Sequence, residues 1–174
     1  YWIEGEADGG ASARLPHPQA PTSMLAYHVD AGGVATRVPF YQFIIEPGLL
    51  GAIDADAYSN ELRPAVFIAG GEVYDGVGVR CRGAWARSWP KKCWKVVFRK
   101  DHPFGKERRI NLNSAWRDQA YIREPLAYEI SRDAGSLSPR SKMVRVLVTG
   151  RFWGLYAEVE QPGKRLLGEW GLEG

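Results

Sequence analysis

Two cysteines in 174 residues, Cys81 and Cys93, are too few for a disulfide scaffold, and a bridge between them is not expected from the geometry such a bond demands. Three scattered histidines (His17, His28, His102) offer no zinc spacing, so no metal site is assigned within the chain. No stretch approaches the roughly 18 consecutive apolar residues of a membrane-crossing helix, which excludes an expected membrane span. The opening residues, YWIEGEADGG, lack the basic-then-apolar order of a signal peptide. Positive charge is scarce over residues 1–79, which hold 3 Lys/Arg against 10 acids.

Residues 80–109 reverse that balance with 11 Lys/Arg against 2 acids, so the net charge of +3 conceals an acidic front and a basic middle. A concentrated positive field attracts phosphate, nucleic acid or acidic polymer. The run from Arg80 to Phe98 interleaves these cations with Trp85, Trp89 and Trp94 around Gly83 and Pro90. Those indoles could stack on an adenine or a sugar, although core burial is the commoner role of tryptophan. A hydrophobic content of 45% is enough for one packed domain.

The first 38 residues read as an extended linker or the end of a preceding domain. They carry an Asp8-Gly9-Gly10 turn, then Pro16, Pro18 and Pro21, and an apolar patch from Met24 to Val38 broken at Asp30–Gly33. Beyond Pro39 the pattern becomes regular. Strands are expected over 40–45, 63–69, 72–82, 88–99, 109–113, 142–148 and 152–160, with Gly70-Gly71 and Thr149-Gly150 as hairpin turns. A short helix is expected after Pro47, to about residue 57. The one substantial helix runs over 118–134, with Ile122, Leu126 and Ile130 at four-residue spacing, Asp118 as N-cap and Gly135 as a stop. Asn111 and Asn113 are expected to satisfy local backbone. The fold class expected is α+β: a mainly antiparallel twisted sheet with one main helix.

Five phrases occur in order: VGVRCRG (77–83), RSWPKKCWKVVF (87–98), INLNSAWRD (110–118), YIREPLAYEISRDAG (121–135) and VRVLVTGRFWGLYAEVEQ (144–161). Together they resemble the CotH kinase family, the relatives of spore coat protein H. The resemblance implies the small lobe of an atypical protein-kinase-like fold over 39–161, with 162–174 as the start of a truncated large lobe. It also implies binding of ATP with Mg or Mn, and phosphorylation of Ser/Thr on secreted, coat or surface proteins. An extracytoplasmic location follows from the same resemblance.

A kinase small lobe needs a strand lysine on the nucleotide phosphates and a helix glutamate to aim it. Lys92 and Lys95 are the candidate lysines and Glu124 the candidate glutamate. Strand parity puts Lys92 with Trp94, and Lys95 with Cys93, without deciding which face meets the nucleotide. The family phrase centres on Pro-Lys-Lys and favours Lys92. Arg82 and Arg87 flank the Gly83 turn as candidate phosphate ligands, with solvated strand-edge charge as the alternative. Glu160 and Gln161 stand where the hinge would meet the base.

Departures from the family pattern are Ala84-Trp85-Ala86 in place of small hydroxyl residues, Cys93 in place of serine, Gly163 in place of an acid, and Pro125 directly after Glu124. Proline there requires the helix either to restart with Pro125 in its first turn or to kink. Catalytic aspartates of a large lobe are not among these residues, so the isolated chain is expected to be inactive. A second reading is a non-catalytic surface or coat module that binds an acidic glycan or protein partner through the basic aromatic stretch. Nucleic acid ranks last, because no recognised nucleic-acid module is visible.

Overall fold

The computed structural model describes residues 37–172 together with the backbone of 3–6 and 12–15. Within the stretch read as a linker, β1 (Ile3–Glu6) and β2 (Ser12–Leu15) pair antiparallel as a two-stranded sheet. The Asp8–Gly10 turn, the three prolines and nearly all of the Met24–Val38 patch lie outside the described residues.

From Phe40 onward the elements are β3 (Phe40–Ile44), α1 (Pro47–Ala55), β4 (Arg63–Ala69), β5 (Glu72–Arg82), β6 (Cys93–Val97) and β7 (Arg109–Asn113). They continue with α2 (Arg123–Asp133), β8 (Ser141–Val148), β9 (Arg151–Glu160) and α3 (Lys164–Glu169). Seven strands close into a barrel in the order β3-β4-β5-β6-β7-β9-β8. Every neighbouring pair is antiparallel except β3 and β8, which close the barrel in parallel, Tyr41 opposite Val146 and Phe43 opposite Val148.

This architecture overturns the expected α+β class. The described residues form a mainly-β closed barrel with three short helices, not a kinase-like small lobe of open sheet plus one main helix. The four-residue spacing of Ile122, Leu126 and Ile130 marks no buried face: α2 buries none of its residues, and all three are exposed. What fills the interior comes from the strands. Phe67 sits at the centre of an aromatic cluster, edge-on to Tyr41, Phe98 and Phe104 with ring centroids 5.0 to 5.4 Å apart. Alternation along each strand supplies the rest, as Val77, Val79 and Cys81 of β5, Trp94 and Val96 of β6, and Ile110 and Leu112 of β7 all point inward.

The strand predicted over 88–99 is shorter than expected. Trp85–Arg87 forms a single 3-10 turn, and regular pairing begins only at Cys93. Gly70 (φ 59°) and Gly71 (φ 82°) give the β4–β5 hairpin the left-handed pair that a tight turn needs. At the β8–β9 hairpin the first of these positions is Thr149 (φ 48°), a β-branched residue in a conformation that it disfavours. Its tertiary bonds account for this. The Thr149 hydroxyl donates to the Ile45 carbonyl at 3.0 Å and accepts from the Ile45 N–H at 3.3 Å, while its own N–H reaches the Phe43 carbonyl at 2.7 Å. The hairpin tip is thereby fastened to the end of β3, at the barrel seam.

Replacing Thr149 by valine keeps the shape and leaves two buried backbone groups of Ile45 unpaired, a loss of about 2–3 kcal/mol. Urea denaturation of Thr149→Val against Thr149→Ser measures it, with the serine variant expected to stay within about 1 kcal/mol of the parent.

Candidate functional site

Barrel closure gives each strand an inside and an outside, and the outside of β5, β6 and β7 is where the cations gather. Directly opposed residues in an antiparallel pair share a face. Arg80 lies opposite Lys95, and Lys95 opposite Asn111, so the three form one row across the outer surface. One pleat along, Arg82 lies opposite Cys93. Burial, then the neighbouring charges of Arg80, Arg109 and Arg82, pull the Lys95 ammonium below the usual lysine range. Arg80 is likewise lowered, by burial and then by Arg87 and Arg82. Among the described residues, no carboxylate lies within ion-pair distance of Arg80, Arg82, Lys95 or Arg109.

Two arginines elsewhere are neutralised by several acids each. Arg99 bridges Asp75 and Asp101, and Arg165 bridges Glu107, Glu160 and Glu169.

Beside the row lies a cleft of about 450 Å³ between the Gly83 turn and the start of α2, lined by Arg82, Trp89, Cys93, Trp116, Arg123 and Glu124 among others. Asn113 spans it. Its side-chain carbonyl accepts from Arg82, and its amide donates to Glu124 Oε1 at 2.6 Å. Tyr128 touches the same glutamate oxygen at 3.4 Å. Pro125 sits in the first turn of α2, where its missing N–H interrupts no helical hydrogen bond, so the helix starts late rather than kinking. Asp118 is not the N-cap, a position held by Ile122. It instead accepts from the Ala120 and Arg123 N–H groups at 3.0 and 2.9 Å, which ties the loop to the helix start.

The residues singled out from sequence fall into two groups. Arg82, Lys95, Glu124 and Gln161 come together on the outer face: Lys95 Nζ donates to Gln161 Oε1 at 3.3 Å, and Asn111 donates to the same oxygen at 3.3 Å. Lys92, Arg87 and Glu160 stand apart. Lys92 donates to the Arg87 carbonyl at 2.8 Å, on the inward parity of β6. Arg87 is buried, and its guanidinium holds the Tyr58 carbonyl at 2.6 Å and Asn60 Oδ1 at 2.9 Å. That is a clasp on the α1–β4 connection. Glu160 is buried too, between the Arg140 N–H at 3.1 Å and Arg165 at 2.7 Å.

Asn111 and Asn113, expected to satisfy local backbone, instead bond through their side chains to other side chains. Their alternation with Ile110 and Leu112 was the available signal, because it puts both amides on the outer face beside Lys95 and Arg82. Of the three tryptophans, Trp94 is core, Trp89 lines the cleft under Arg117, and Trp85 is 82% exposed. Cys81 and Cys93 are free thiols. Cys93 turns to Ser114, accepting from its N–H at 3.2 Å.

The donor set fits a polyphosphate: arginine forks and an ammonium with no carboxylate in ion-pair distance among the described residues. It does not fit a divalent cation, since among the described residues no group of three or more His, Cys, Asp or Glu converges. No helix of the described residues is long and apolar enough to cross a membrane.

Comparison with known proteins agrees with the phrases in the sequence. The family model described as CotH kinase protein matches residues 79–173, more than half of the chain and all of the cationic face. Inner spore coat protein H of Bacillus subtilis (strain 168) is 27% identical over 125 residues, which cover 72% of this chain and 34% of that protein. The chain thus spans about a third of the length of this curated relative. On the family match, the chain belongs to the CotH kinase protein family.

Proposed function

We propose that the outer face of β5, β6 and β7 binds the phosphates of ATP, as the nucleotide-holding part of a coat-associated CotH protein that phosphorylates Ser/Thr of coat or surface proteins. One observation carries the reading: Arg80, Arg82, Lys95 and Arg109 converge without a carboxylate partner among the described residues, whereas Arg99 and Arg165 each bridge two or more carboxylates. Four mutually repelling cations at a partly buried face cost stability unless an anion completes them. In this reading Lys95 and Arg82 contact phosphate oxygens. Asn113 holds the Arg82 fork and Glu124 in one plane of hydrogen bonds, and Gln161 orients Lys95. A divalent ion bound with the nucleotide would supply further charge neutralisation at the transferring phosphate. The coat location rests on the likeness to inner spore coat protein H of Bacillus subtilis.

A second reading is favoured by the 82% exposure of Trp85 and the 48% exposure of Trp116 beside these cations. An acidic glycan or protein could stack on such indoles while its charges meet the arginines. It predicts steep loss of polymer binding with salt and no preference for a nucleoside triphosphate over an equally charged polymer.

Two measurements test the nucleotide reading. Calorimetric titration with ATP and Mg should give binding that Lys95→Met weakens about tenfold to a hundredfold, the worth of one charge-assisted bond, while Lys92→Met stays within about twofold. Equal losses in the two variants would remove the assignment of Lys95. Arg87→Leu should act on folding instead, lowering the urea-derived stability by about 2–3 kcal/mol through the carbonyls it abandons. Its ATP affinity, where folded, should match the parent.

A further inference from the structure

Lys91 precedes the two candidate lysines and has a different environment. Its ammonium donates to the Ser114 carbonyl at 2.8 Å and to the Leu155 carbonyl. It lies over two aromatic rings, 4.4 Å from the centre of Tyr156 and 5.0 Å from that of Tyr121. Gly154 makes room for it: a Cβ there would stand 3.1 Å from Lys91 Cε and 3.2 Å from Nζ, on a backbone with φ of 136°. Ser114 and Tyr121 bound the loop that forms one wall of the cleft through Ala115, Trp116, Arg117 and Asp118. That loop is strained. Ala115 (φ 49°) and Tyr121 (φ 63°) both occupy the left-handed region without being glycine.

From this geometry we infer that Lys91 is a positioning residue: it pins both ends of the strained 114–121 loop to β9 and so sets the cleft wall, and the start of α2 behind it, against Arg82. The connection to α2 runs through Asp118, which holds the Arg123 N–H next to Glu124. As a statement about ligand affinity the inference rests on the nucleotide reading above; as a statement about the loop it does not.

A lysine held here for stability alone would be a poor choice. The groups facing it are two carbonyls, two tyrosine rings and the Cys93 thiol. Among the described residues no carboxylate pairs with it, and burial pushes it down to about 8 from an ordinary 10.5. Between those two values the folded chain binds fewer protons than the unfolded one, so stability rises with pH across that window. At neutral pH the burial of the charge therefore works against the two hydrogen bonds that Lys91 makes. Its return is directional: two hydrogen bonds and a ring sandwich admit one loop conformation, which an apolar side chain of the same length would not specify.

Lys91→Met retains the stem and removes the ammonium, and the two roles then predict different results. Positioning predicts a Tm at pH 7 close to the parent's, because removal of the buried charge offsets the two carbonyls left unpaired, without the parent's rise between pH 8 and 10. Amide hydrogen exchange should be at least tenfold faster over residues 114–124 only, and ATP affinity at least tenfold weaker. Gly154→Ala, which displaces the ammonium while keeping it in the chain, should reproduce the local exchange. Exchange unchanged over 114–124, or raised across the whole barrel with a fallen Tm, would overturn the inference. If the parent chain itself takes no ATP, the nucleotide reading fails, and exchange and melting still decide the role of Lys91.

Discussion

Parallel pairing of β3 with β8 is the contact on which the other arrangements rest. Without it the chain would be an open antiparallel sheet with two unprotected edges, β3 held only by β4 and β8 only by β9. Parallel pairs need a long connection, and here almost the entire barrel lies between the two strands. The seam is therefore assembled from distant parts of the chain, and Thr149 contributes three hydrogen bonds at its end in a backbone conformation it would not otherwise adopt. Closure then dictates chemistry. Once Val79, Val96 and Ile110 are inside, Arg80, Lys95 and Asn111 are outside, with no freedom to exchange unless the register slips by one residue.

The outer face is thus not a patch of solvated strand-edge charge. Arg80, Arg82 and Lys95 stand on central strands, partly buried, with Arg109 exposed beside them, and the side chains bonded to Arg82 and Lys95 are amides. Asn113, Asn111 and Gln161 accept or donate without neutralising, which leaves positive charge available while fixing where it points. Around this face lie left-handed Ala115 and Tyr121 and a lysine whose charge burial disfavours. Concentration of such features at one cleft is what a preorganised site requires, and the barrel core supplies the stability that offsets them.

Local pattern carried much of this into the sequence. The strands over 63–69 and 72–82, the strand over 109–113 and both glycine-containing hairpins were legible from alternation and turn residues. The five CotH phrases were legible as words in order. Barrel closure was not, because nothing local to Phe40–Ile44 states that its partner lies a hundred residues away. The spacing of Ile122, Leu126 and Ile130 misled for a related reason: periodicity reports an apolar stripe, while burial depends on what lies opposite, and here no described residue covers it. Parity of the lysines was readable, yet which parity faces outward depends on closure. For that reason Lys92, favoured by its place in the family phrase, turns to the Arg87 carbonyl, while Lys95 meets Gln161.

Lysine footprinting with an acylating reagent, read by mass spectrometry in the presence and absence of ATP and Mg, tests the central claim most directly. Phosphates on the outer face should lower acylation of Lys95 at least tenfold and leave Lys92 and Lys142 as reactive as before. Protection of Lys92 with Lys95 unprotected, or no protection of either at saturating ATP, would contradict the account.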